Sequence, residues 1–144
     1  MESKVVLGAK DGKTYNIEAK DEGANLFLGK SIGDVVNATP LGLKGYEIKI
    51  TGGSDKSGFP MRKDINKSGR ASALLSGKSV GYRPEQDGVR KRKTVVGTII
   101  DDNISQINAQ VVKAGNDPID KLIGGDAADG DQATDKEATP AEKQ

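Results

Sequence analysis

The side chains that could do chemistry here are cations. The 144-residue chain has no histidine and no cysteine. That removes the imidazole base, the Ser-His-Asp triad, His- or thiolate-ligated zinc and any disulfide framework. Lysine and arginine remain, and their placement is uneven although the net charge is only +1. Residues 44–97 carry 13 basic and 5 acidic side chains, whereas residues 98–144 carry 4 basic and 10 acidic. A single basic run is often no more than a solvated face. Here the excess recurs as three clusters: Arg62, Lys63, Lys67 and Arg70; Lys78 and Arg83; and Arg90, Lys91, Arg92 and Lys93. Spread cations of this kind neutralise phosphates and release counterions, which favours a polyanion partner, above all folded RNA.

Other chemistries fit less well. Ala24 to Ser31 satisfies a relaxed phosphate-loop pattern, and Ile99-Ile100-Asp101-Asp102 resembles an apolar strand ending in a metal-binding aspartate. A phosphate loop needs a flexible, glycine-rich backbone between a strand and a long helix. Its positions here are Leu26, Phe27 and Leu28, and no long helix follows. Asp55 has no second carboxylate nearby to share a metal, and is read as closing a turn on its own backbone. No catalytic residue, metal ligand or cofactor site is expected.

The stretch Ile50 to Arg62 introduces the basic region. It begins where a strand-like alternation stops and reads as a shaped loop. Gly52, Gly53 and Gly58 give backbone freedom, Pro60 stiffens the exit, and Phe59 and Met61 are apolar residues in a polar setting. Lys56 lies within it. Phe59 and Tyr82, two of only five aromatic residues, are placed either to stack on exposed bases or to pack against the end of the domain.

The elements that must position these residues are short strands. Lys4–Ala9 and Thr14–Ala19 flank an Asp11-Gly12 hairpin turn, with Tyr15, Ile17 and Ala19 on one face. Further strands are expected at Asp34–Ala38, Tyr46–Ile50, Ala71–Leu75 and Thr94–Val96, with a longest strand at Ile104–Lys113. Gly97 is expected to be a bulge or kink. Ala24–Leu28 and Ile119–Ile123 suit one or two helical turns. From Gly124 the chain has no large apolar residue and is expected to be a disordered acidic tail. The fold class is therefore mainly β: a small β-barrel of about six short strands over residues 1–123, followed by the tail, 124–144. Nothing resembles a signal peptide or a membrane span.

The segment Ile50-Thr51-Gly52-Gly53-Ser54-Asp55-Lys56-Ser57-Gly58-Phe59-Pro60-Met61 closely resembles the signature of a small-subunit ribosomal protein family of archaea and eukaryotes, S-six-e. Leu41 to Tyr46 is similar to its lead-in, Gly81-Tyr82-Arg83-Pro84 to its next loop, and Arg90 to Val95 to its basic run. Gln106-Ile107-Asn108 sits where its last long strand is expected. The resemblance covers roughly residues 3–113. It implies a β-barrel on small-subunit ribosomal RNA beside other ribosomal proteins, in the cytoplasmic ribosome, without catalysis, cofactor or small-molecule substrate. The short acidic end matches the archaeal form rather than the eukaryotic one with its long basic helix. Two places depart from the pattern: Lys67 to Ser72 dilutes an arginine-rich run, and Val96 stands where arginine is common. Barrel and charge alone also suit a non-ribosomal adaptor that binds RNA or an acidic protein.

Overall fold

The computed structural model describes residues 2–20, 22–115 and 119–123. The expected tail, 124–144, lies outside them. Among the described residues are seven strands and two single-turn helices. They are β1 (Glu2–Gly8), β2 (Thr14–Lys20), α1 (Glu22–Asn25), β3 (Val35–Asn37), β4 (Glu47–Asp55), β5 (Arg70–Leu75), β6 (Lys91–Val96), β7 (Ile104–Lys113) and α2 (Ile119–Ile123). A 3-10 turn covers Thr39–Leu41, with Pro40 starting it and Gly42 at φ 82° ending it. The mainly β expectation holds, and the seven strands fall at the seven expected segments, with shifted ends.

Five strands form one mixed sheet in the order β2-β1-β7-β4-β3, curled into a half-barrel. β1 and β2 pair antiparallel around the Asp11-Gly12 turn, where Gly12 has φ 83°. β1 then pairs parallel with β7, Val5 opposite Ile107. β7 pairs antiparallel with β4. The inward residues alternate as a half-buried sheet requires. Val5 and Leu7 meet Ile107, Ala109 and Val111 from β7, and Ile48 and Ile50 from β4. Phe27, Leu43 and Tyr46 close the core from the connections, and Phe27 and Leu43 are fully buried.

The sheet curls because its central ladder is irregular. Ile50 opposes Ala109 while Gly52 opposes Asn108, so Thr51 is an extra residue on β4. Its hydroxyl donates to the Asn108 carbonyl at 3.0 Å. A second register shift falls between Ser54 and Asp55. Bulges increase local twist and bend the strand that carries them. They also break the alternation, which is why the sequence reads as a loop from Gly52 onward although β4 continues to Asp55.

β5 and β6 form a separate two-stranded ribbon. Its root is tied to the half-barrel by residues 60–62: the Val96 N–H donates to the Pro60 carbonyl and the Arg62 N–H to the Val96 carbonyl, both at 2.9 Å. Val95 and Val96 are buried there, whereas Leu74 further out is 58% exposed. The expected strand at Thr94–Val96 thus extends back to Lys91. Three of the four residues of the third basic cluster therefore lie on a strand, not in a loop. Their charges hid the strand, and backbone pairing to Ala73, Leu74 and Leu75 reveals it.

Adjacent glycines in β4 differ sharply in role. A Cβ at Gly53 would overlap the Gln106 carbonyl oxygen and meet Met61 Sδ at 3.1 Å, whereas one at Gly52 meets nothing within 4 Å. Gly53→Ala should destabilise the protein by about 1–3 kcal/mol, as overpacking typically does. Gly52→Ala should stay within about 0.5 kcal/mol of the parent. Urea denaturation of both variants followed by circular dichroism checks the pair.

Candidate nucleic-acid interface

The glycine-rich stretch is a tight hairpin. The Met61 N–H donates to the Gly53 carbonyl at 2.9 Å, the Asp55 N–H to the Phe59 carbonyl at 3.0 Å, and the Gly58 N–H to the Asp55 carbonyl at 2.7 Å. Gly58, at φ 81°, supplies the left-handed residue that the turn needs. Lys56 and Ser57 stand exposed at its tip.

Asp55 does not cap this turn with its side chain, contrary to expectation. Its carboxylate is 2% exposed, and Oδ2 accepts from Arg70 Nε at 2.6 Å and pairs with Arg70 NH2 at 2.5 Å. Asp55 Oδ1 is buried with no hydrogen-bond partner among the described residues. Arg70 NH2 also donates to Ser57 Oγ at 2.8 Å, and its guanidinium lies 5.0 Å from the centroid of the Phe59 ring. Three residues of the hairpin therefore hold one arginine, through a charged pair, a hydroxyl and a ring face. Phe59 is half-buried and packs against the core as well.

Arg62 is similarly occupied. Its side chain is 13% exposed, and NH2 meets Asp64 Oδ2 at 2.6 Å. NH1 donates to the Val80 carbonyl at 2.6 Å and to Ser79 Oγ at 3.1 Å. The fork thus fixes the start of the loop that joins β5 to β6. Ser79 and Tyr82 exchange backbone hydrogen bonds at 3.0 Å, and the Tyr82 hydroxyl donates to the Val89 carbonyl at 3.2 Å. Tyr82 is 8% exposed. Of its two expected uses, packing is what the structure shows.

The remaining cations are unspent. Lys56, Lys63, Lys67, Lys78, Arg83, Arg90, Lys91 and Arg92 are exposed and Lys93 is partly so. None of the nine has an ion pair among the described residues. Strand pleating divides the third cluster. Lys91 and Lys93 lie on the face of Val95, and Arg92 on the opposite face with Thr94. The ribbon and its connections therefore bring the second and third clusters together, and both faces of the ribbon carry positive charge. Lys56 is apart, at the hairpin tip. Sequence reasoning located the cations; it missed that Arg62 and Arg70 brace the fold, because their partners lie in other segments.

The phosphate-loop pattern has no open backbone to offer. The Phe27 and Lys30 N–H groups bond to the Ala24 and Phe27 carbonyls, the Leu28 N–H to Asn25, and the Gly29 N–H to Ile100. The Ser31 N–H donates to Asp34 Oδ2 at 2.8 Å. Among the described residues no three acidic side chains cluster as a metal would require, and no helix is long and apolar enough to cross a membrane.

A curled β-sheet with an aliphatic interior, beside a two-stranded ribbon with unpaired cations on and around it, defines a small mainly β protein with a basic surface. More particularly, the chain belongs to the family described as Ribosomal protein S6e, whose model matches residues 3–124. Similar chains carry the description small ribosomal subunit protein eS6. One from Natronomonas pharaonis is 47% identical over 122 residues, covering 85% of this chain and 94% of its own length. One from Methanothermobacter thermautotrophicus is 44% identical over 126 residues, covering 88% and 98%. One from Archaeoglobus fulgidus is 46% identical over 125 residues, covering 85% and 96%.

Removing Arg70 should expose the cost of the Asp55 carboxylate. Breaking a buried pair from one side costs about 3–5 kcal/mol. Half of the Arg70 side chain faces solvent, so Arg70→Ala should lose about 2–4 kcal/mol. Arg70→Lys should recover only part of that, since an ammonium cannot reproduce the fork. Urea unfolding midpoints for both variants check this; equal midpoints for parent and Arg70→Ala would overturn it.

Proposed function

We propose that the chain is a structural, non-catalytic constituent of the small ribosomal subunit, within the cytoplasmic ribosome, and that it binds ribosomal RNA through its basic ribbon and loops. The observation that carries this reading is the set of unpaired cations on and around one ribbon, in a chain of this family. A folded protein gains little by leaving nine positive side chains unpaired in water. Against RNA phosphates, each releases counterions and adds to affinity. Family membership supplies the ribosomal setting, since the relatives are described as small-subunit proteins.

The residues divide by role. Lys56, Lys63, Lys67, Lys78, Arg83, Arg90, Lys91, Arg92 and Lys93 make the phosphate contacts. Arg62 and Arg70 hold the ribbon's root and connecting loop in place, so they act on RNA chiefly through that geometry. Gly52, Gly53, Asp55, Gly58, Phe59, Pro60 and Met61 shape the hairpin beneath. Leu74, Val80 and Val89, each at least 43% exposed, add apolar surface among the cations, which suits a face covered by a partner. Residues 1–123 form the binding unit, with neighbouring ribosomal proteins as further partners.

Two measurements test this. In sucrose gradients the protein should migrate with the small subunit at low and at moderate salt; a protein found only at the top of the gradient would overturn the ribosomal reading and favour a free RNA-binding adaptor. Replacing Arg90, Lys91 and Arg92 together with alanine should weaken RNA binding and reduce the slope of log K against log salt by about 2, given a contribution of about 0.7–0.9 per phosphate contact. An unchanged slope would count against these contacts.

A further inference from the structure

The ribbon carries more than surface charge. The connection from β5 to β6 folds back over one ribbon face and leaves a cleft of about 360 Å³. Lys91 and Lys93 line it from the strand, and Tyr82, Arg83, Glu85 and Gln86 from the connecting loop. The volume is near the lower end of the range for small-ligand pockets, roughly 300–1,000 Å³. The loop is held in this shape by contacts already described: Arg62 on Ser79 and Val80, and the Tyr82 hydroxyl on the Val89 carbonyl.

The lining is mixed in a particular way. Three cations surround the cleft, yet Glu85 and Gln86 line it too. None of Arg83, Glu85, Lys91 and Lys93 has an ion pair among the described residues, although all four open on the same space. A cleft built only to hold phosphate would gain nothing from a carboxylate, which repels it. A carboxylate accepts hydrogen bonds, and base edges supply donors in their exocyclic amino groups. A neighbouring carboxamide both donates and accepts, as base edges do. Cations for a phosphate beside a carboxylate and an amide for a base describe the chemistry of a nucleotide. RNA offers such a group where a base is unstacked in a bulge or loop.

We propose that this cleft receives one unpaired nucleotide of a bound RNA, its base edge read by Glu85 and Gln86 and its phosphates held by Arg83, Lys91 and Lys93. The proposal rests on the RNA-binding reading above. Because Glu85 only accepts, a base is preferred by the donors it offers: guanine, whose N1–H and amino group face one carboxylate together, binds more tightly than cytosine, adenine or uracil, which offer one donor group each. Arg92, on the opposite face, contributes phosphate contacts without base preference.

The test uses the full chain and a set of RNA hairpins that are identical except at one position: fully paired, or carrying a single bulged C, A, G or U. Affinities are measured at one fixed salt concentration, and the Gln86 side-chain amide resonance is followed by NMR. A bulged G should bind about tenfold more tightly than the paired hairpin, the worth of one well-made hydrogen bond to a charged group, and should shift the Gln86 resonance. A bulged C, A or U should gain less. In the Glu85→Ala/Gln86→Ala variant the ratio of bulged to paired affinity should fall towards one. Equal affinities for bulged and paired hairpins, or a ratio retained in the double variant, would overturn the cleft assignment and leave the RNA reading standing. Failure of every hairpin to bind would instead overturn the RNA reading itself. Free guanosine monophosphate binding as tightly as the bulged-G hairpin would reassign the cleft to a small molecule and overturn the proposal.

Discussion

Asp55 ends β4 inside the protein, and a carboxylate there is tolerable only if a cation meets it. The cation is Arg70, the first residue of the ribbon, which reaches Asp55 with Nε and NH2. One ion pair thus joins the last turn of the half-barrel ladder to the ribbon that carries the charge. It also determines the shape of the glycine-rich hairpin, because Ser57 and Phe59 hold the same guanidinium from its other sides. If the pair is removed, β4 is left with a buried charge and the ribbon loses one of its anchors. The backbone clip of residues 60–62 on Val96 and the packing of Val95, Val96 and Met61 would then carry the connection.

The ribbon's position follows from what a small core can accommodate. The interior is filled by valine, isoleucine, leucine and a few aromatics, and a lysine cannot be placed there without a partner. A two-stranded ribbon buries little, so it tolerates a cation at nearly every outward position. Such ribbons are marginal on their own. This one is secured at its root by Val95, Val96 and Met61, and across its connecting loop by Arg62 and Tyr82. Buried arginine and tyrosine contacts are thus what allow the exposed lysines and arginines to be held in one place.

Regular alternation was legible in the sequence. β2 and β7 lie where periodicity puts them, because each has one dominant buried face. β4 beyond Ile50 was not, because the extra residue Thr51 shifts the following residues to the other face. The start of β6 was hidden by Lys91-Arg92-Lys93, which offers no apolar signal; only pairing with β5 makes it a strand. The candidate interface was legible as a set of cations but not in how they are used. Arg62 and Arg70 differ from Arg83 and Arg92 chiefly through distant partners, Ser79 and Val80 in one case and Asp55 in the other. The strand order was equally hidden, since β1 meets a strand about a hundred residues away.

That order has a consequence for how the chain comes to be folded. β7 is the last strand to leave the ribosome that synthesises it, yet it lies between β1 and β4. The β1–β2 and β3–β4 pairs can form early as hairpins, but neither has a surface to pack against until β7 slides between them. Contacts so distant in sequence also slow folding. The cationic ribbon is therefore finished before the body that supports it is closed. A newly made chain passes through an interval in which its positive residues are complete, its apolar sheet is open, and polyanions are abundant around it.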